Sequence, residues 1–153
     1  MTALCRHAGF TLVELVMVIV LIGVLMASAL PPFFNVDEYQ ARFVYDELLA
    51  AARFGRQAAV AYGCPTRLVV TTTSFRLLRD DNCLIGGAAV FSNNLVVHPT
   101  GDTAAFNRTS LPSGASLSAA TVTFLENGTA DGNYAISACG RTINITGATA
   151  YVR

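Results

Sequence analysis

Residues 10–30 read FTLVELVMVIVLIGVLMASAL, and across this whole span Glu14 is the only ionisable side chain. A helix of about 20 such residues is long enough to cross the hydrocarbon core of a bilayer. Five valines and two isoleucines would lean towards strand in water. In lipid, a lone segment satisfies its backbone polar groups only as a helix. The span is therefore expected to be a membrane helix. A carboxylate within it costs a few kcal/mol, on the order of 3, unless it is neutralised or paired. Glu14 needs a partner.

Upstream lie Arg6 and His7, then Gly9-Phe10. An ordinary secretory signal also has a basic start and an apolar core, and Ala27-Ser28-Ala29 fits its small-residue cleavage pattern. That reading leaves Glu14 at the head of the core and Gly9-Phe10 without a role. The leader with Arg6 and His7, followed by Gly9-Phe10-Thr11-Leu12-Val13-Glu14-Leu15 and an unbroken apolar run, resembles the class III signal of type IV pilins and pseudopilins. The resemblance implies cleavage between Gly9 and Phe10 by a prepilin peptidase and N-methylation of Phe10. It also implies that Glu14 meets the Phe10 amine of a neighbouring subunit in a filament. Two buried opposite charges on different chains are tolerable together and costly apart, so such a pair would set axial register.

Downstream, Pro31-Pro32 removes two backbone donors and should kink or break the helix, and Gly23 weakens it locally. From Asp37 to Tyr62 a helical period resumes. Val44, Leu48, Ala51, Ala52, Gly55, Ala58, Ala59 and Tyr62 recur at three- and four-residue steps, while Arg42, Asp46, Arg53, Arg56 and Gln57 fall elsewhere on the wheel. Glu38 and Arg42 form a favourable i,i+4 pair. Gly63 with Cys64-Pro65 stops the helix. With a mild kink, residues 10–62 would make a rod of about 80 Å.

Beyond Thr66 the period shifts to two. Strands are expected at Thr66–Thr73, Phe75–Arg79, Leu95–Val97, Thr121–Leu125, Tyr134–Cys139, Thr142–Thr146 and Thr149–Val152, with Asp80-Asp81-Asn82 a solvated turn. Gly101–Ser118 reads as a long polar loop. One helix followed by many short strands gives an α+β class, a long N-terminal helix packed on a C-terminal antiparallel sheet. The expected domain organisation is a cleaved leader (1–9), a transmembrane helix (10–30), an amphipathic helix (31–63) and a β-rich periplasmic domain (64–153).

Of four cysteines, Cys5 leaves with the leader. Cys64, Cys83 and Cys139 allow three single pairings with one left over. Cys64 with Cys83 is favoured, since a hairpin between them returns the chain to its start; buried free thiols are the alternative. With Arg6 and His7 retained inside, this domain faces the oxidising side, where a disulfide persists.

An enzyme would need a base or a metal, and after cleavage His98 is the only histidine. No triad, phosphate loop or metal spacing surrounds it, so neither catalysis nor a cofactor is expected. The Asp80-Asp81-Asn82 run lacks the spaced ligands of a calcium loop. The Asn-x-Ser/Thr matches at Asn107, Asn127 and Asn144 carry no weight in so threonine-rich a chain. Ten basic and ten acidic residues cancel, which removes any global electrostatic case for nucleic acid.

The pattern Val122-Thr123-Phe124, Gly128, Tyr134-Ala135-Ile136, Arg141-Thr142-Ile143-Asn144-Ile145 is similar to minor pseudopilins of the GspH/FimT type. Tyr62-Gly63-Cys64 through Ser74-Phe75-Arg76-Leu77 to Cys83 resembles a minor pilin of the mannose-sensitive haemagglutinin pilus system. These resemblances imply a minor pilin whose partners are other pilins or pseudopilins, the prepilin peptidase and an inner-membrane assembly platform. The alternatives are a type II secretion pseudopilin and a FimT-like receptor for DNA uptake. The last would use Arg141 and Arg153, but two arginines neutralise few phosphates.

Overall fold

The computed structural model describes residues 10–29, 36–83, 88–98, 100–101 and 106–153. Two compact units divide the chain, one up to Asn35 and one from Val36. The join with Pro31-Pro32, and hence the expected kink and rod length, lies outside the described residues.

In the first unit, helix α1 spans Leu12–Ala29. The second unit opens with α2, Val36–Tyr62, whose buried residues are Val44, Leu48, Ala51, Ala52, Gly55, Ala58 and Ala59. This is the expected stripe apart from Tyr62, which is 45% exposed. It is the last residue of α2, and the Arg79 guanidinium carbon lies 5.2 Å from its ring centroid. The end is a Schellman cap: Gly63 has φ 61°, Cys64 N donates to Ala59 O at 3.1 Å and Gly63 N to Val60 O at 3.4 Å.

Among the described residues seven strands follow: β1 Thr66–Val70, β2 Phe75–Arg79, β3 Asn107–Arg108, β4 Ala120–Phe124, β5 Tyr134–Ala138, β6 Arg141–Thr146 and β7 Tyr151–Val152. They form two antiparallel sheets, β3-β2-β1-β4 and β5-β6-β7, rather than one. In the first, Leu77, Leu68 and Val122 stand in one cross-strand row, all fully buried beneath α2. In the second, Ile136 faces Ile143 and Ile145 faces Val152. Both sets of side chains join one hydrophobic core with the α2 stripe.

The closest helix–sheet approach is at Gly55. A Cβ there would lie 2.9 Å from Leu77 Cδ1 and 3.0 Å from Phe124 Cδ2. The Gly55 carbonyl accepts a hydrogen bond from the buried Thr66 hydroxyl at 2.8 Å. The small residues of the stripe thus let the backbone of α2 come down onto β1.

Three expectations change. Leu95–Val97 makes only one bridge, Leu78 to Leu95, because the outer edge of β2 is shared. Residues 94–96 take its Leu77–Arg79 end, and β3 takes its Phe75–Arg76 end. The polar stretch from Gly101 therefore contributes a strand, β3. Asp80 is not solvated: it is 2% exposed, and its carboxylate accepts from Val90 N at 2.8 Å and Asn82 N at 3.3 Å. A buried carboxylate is tolerated because backbone donors replace its water.

Candidate functional site

The candidate site is the start of α1. Thr11 is its N-cap: Glu14 N donates to the Thr11 carbonyl at 3.1 Å and to its Oγ1 at 3.3 Å, and Leu15 N reaches the same carbonyl at 3.2 Å. Thr11-Leu12-Val13-Glu14 is thus the Thr-x-x-Glu pattern that opens a helix before an apolar run. That spacing is the signal in the sequence that marks Thr11 as the cap. An acid in the first turn also complements the positive end of the helix dipole. Glu14 therefore has a reason to exist within its own chain as well as any reason between chains.

No described residue donates to the Glu14 carboxylate. Around it, the large apolar side chains from Leu12 to Met26 are 43–79% exposed, and Phe10 is 76% exposed. An apolar surface on every side of a helix needs a non-aqueous surrounding. Eighteen residues span about 27 Å, slightly under the hydrocarbon thickness. Among the described residues, no helix is long and apolar enough to cross a membrane. A Cβ on Gly23 would meet nothing within 4 Å, so no packing among the described residues requires that glycine. Gly9 lies outside the described residues, as do Cys5, Arg6 and His7.

Elsewhere, Cys64 and Cys83 form a disulfide with Cα atoms 5.0 Å apart. Cys139 is free. It is not at a strand end but in the β5–β6 turn: Cys139 and Gly140 have φ 51° and 78°, the two positive values of a type I′ hairpin. Arg141 lies over the Tyr45 ring, its guanidinium carbon 5.4 Å from the centroid. Arg153 pairs through its backbone with Asn144. Since Ile143 and Ile145 face the core, Arg141 shares their side of β6, whereas Arg153 stands opposite Asn144 on the other. The two arginines do not converge. His98 packs with Phe54 and Phe106 at centroid distances of 5.9 and 5.0 Å, and its Nδ1 lies 2.7 Å from Thr100 Oγ1. Among the described residues, no three His, Cys, Asp or Glu side chains are grouped to hold a metal.

Residues 4–30 match the family described as the prokaryotic N-terminal methylation motif. Over 63 residues, 40% of this chain and 54% of the relative, the chain is 41% identical to the type IV narrow pilus major component PilA5 of Thermus thermophilus. The chain thus spans about half the length of that relative. No solved structure matches it. This signal over residues 4–30, the likeness to a pilus component and an α2 helix packed on antiparallel sheet together support a type IV pilin-like protein.

Proposed function

We propose that this chain is a non-catalytic minor pilin that enters or primes a type IV pilus through its N-terminal helix. In this reading a prepilin peptidase cuts between Gly9 and Phe10 and methylates the new Phe10 amine. Residues 10–30 then hold the subunit in the bacterial inner membrane, residues 31–63 form the amphipathic link, and residues 64–153 lie in the periplasm until an assembly platform extracts the subunit. The observation that carries the proposal is the exposed apolar helix headed by Glu14, which has no partner among the described residues.

Cleavage would leave a cationic amine one residue before the N-cap, at the positive end of α1. That placement is unfavourable by itself. In hydrocarbon, a carboxylate without a partner is unfavourable too. Bringing the Glu14 of one subunit to the Phe10 amine of another relieves both at once, and it rewards only the stagger that aligns them. The test is Glu14→Ala. The variant should insert and be processed normally but fall out of filaments; incorporation at the parental level would refute the pairing.

A type II secretion pseudopilin would use the same helix chemistry. The resemblance to a pilus component favours the pilus, and deletion distinguishes the two: surface fibres are lost in one case, exoprotein release in the other. The divergent placement of Arg141 and Arg153 weighs against a DNA receptor, because phosphate contacts need cations gathered on one surface.

A further inference from the structure

The face of the first sheet turned away from α2 is only half covered. At one end Leu78 is bridged to Leu95, and the Arg67 guanidinium carbon lies 3.9 Å from the centroid of the Phe91 ring, so residues 91–95 close that part. At the other end, Asn107, Arg76 and Val69 stand directly opposite one another on β3, β2 and β1. Together with Thr71, Ser74 and Thr109 they line an open cavity of about 250 Å³. Arg76 is exposed, and among the described residues no hydrogen bond or ion pair forms on its guanidinium. Arg108 on the rim is already held by Glu47, Nε to Oε2 at 2.8 Å. Among the described residues, the cavity is lined by one cation without a partner, one amide, several hydroxyls and no acidic side chain.

We propose that this cavity binds an acidic sugar residue, with Arg76 taking the carboxylate and Asn107 and Thr109 the ring hydroxyls. A guanidinium offers two parallel donors to a carboxylate, which fixes orientation as well as charge. Neutral donors and acceptors beside it match a ligand whose hydroxyls adjoin its acid group; an aspartate or glutamate side chain would use only the arginine. The volume is below the roughly 300–1,000 Å³ typical of drug-sized sites and suits a single sugar ring. Nothing in this argument depends on Glu14 or on filament assembly, so either proposal can fail without the other.

The test is an amide-resolved NMR titration of the full mature chain in detergent micelles with glucuronate, glucose and acetate. Glucuronate should give saturable shifts at Val69, Arg76 and Asn107, with glucose and acetate each at least about tenfold weaker, since each lacks one half of the recognition. Arg76→Ala should weaken glucuronate by about tenfold or more, and Asn107→Ala by a smaller factor, because a charge-assisted pair contributes more than a neutral one. The proposal is overturned if glucuronate shifts do not saturate, if acetate binds as well as glucuronate, if Arg76→Ala binds undiminished, or if a glutamate-containing peptide saturates the cavity and glucuronate does not.

Discussion

At the scale of single residues, the tightest constraint is Gly55. Any side chain there must displace Leu77 or Phe124, both fully buried. Gly55→Ala gains helix propensity of up to about 1 kcal/mol, but overpacking costs typically about 1–3 kcal/mol. A net loss of stability is expected, read as a lower denaturation midpoint. Cys139 is the opposite case, a non-glycine residue at φ 51°. Cys139→Gly should be neutral to stabilising by up to about 1 kcal/mol, relieving left-handed strain while leaving the Cys64–Cys83 bridge intact; a clear loss in thermal denaturation would show that the thiol packs usefully. The glycine in the helical stripe was legible from periodicity, but its reason was not, because Leu77 and Phe124 arrive from strands 22 and 69 residues away. The burial of Asp80 was hidden for the same reason: its main donor, Val90, is 10 residues away on a returning loop.

At the scale of elements, the segment beyond the disulfide is held to β2 by acids. Asp81 accepts from Ser92 N at 2.9 Å and from the Ser92 hydroxyl. The hydroxyl bond first, then the backbone bond, holds the Asp81 carboxyl below the ordinary aspartate range, with help from Arg79. A lowered folded value means that this stabilisation is present above the unfolded aspartate value, about 3.9, and is lost as pH falls through the folded one. The protection of residues 90–94 relative to intrinsic amide exchange should fall below about pH 4, and Asp81→Asn should remove that part of the acid response. On the other side, Arg108 joins β3 to α2 through Glu47, NH2 to Oε2 at 2.6 Å. Both groups are largely buried, so Glu47→Ala should cost about 1–3 kcal/mol by stranding the guanidinium, with β3 the first strand to lose protection. Six of the seven strands could be read from alternation to within one to three residues. β3 could not, since Asn107-Arg108 has no local pattern and exists only because the edge of β2 is free to receive it. The division into two sheets was equally hidden, as no stretch of sequence states which strand it will pair with.

At the scale of the whole molecule, the chain joins a domain with its own core to a helix that has none. The domain satisfies itself through the α2 stripe, two sheets and one disulfide. Among the described residues, helix α1 leaves its apolar side chains exposed and one carboxylate without a partner, which is the physical case for a membrane first and neighbouring subunits afterwards. That much was readable from residues 9–15 and the run behind them. The Thr11 cap places Glu14 in the first turn, where an acid is favoured in its own right, and so makes the choice of variant matter. The cap bonds run to Thr11 from the backbone N of Glu14 and Leu15, so Glu14→Gln leaves them in place and removes only the charge.

The most direct test is therefore to isolate filaments from cells carrying parental, Glu14→Gln or Glu14→Ala chains and to measure, by mass spectrometry, the N-terminus and the amount of this subunit in each. The account predicts a parental chain beginning at N-methylated Phe10, and both variants cleaved at the same place yet depleted from filaments by about tenfold or more, the equivalent of about 1.4 kcal/mol. A mature chain beginning at Leu30, or Glu14→Gln incorporated at the parental level, would contradict it.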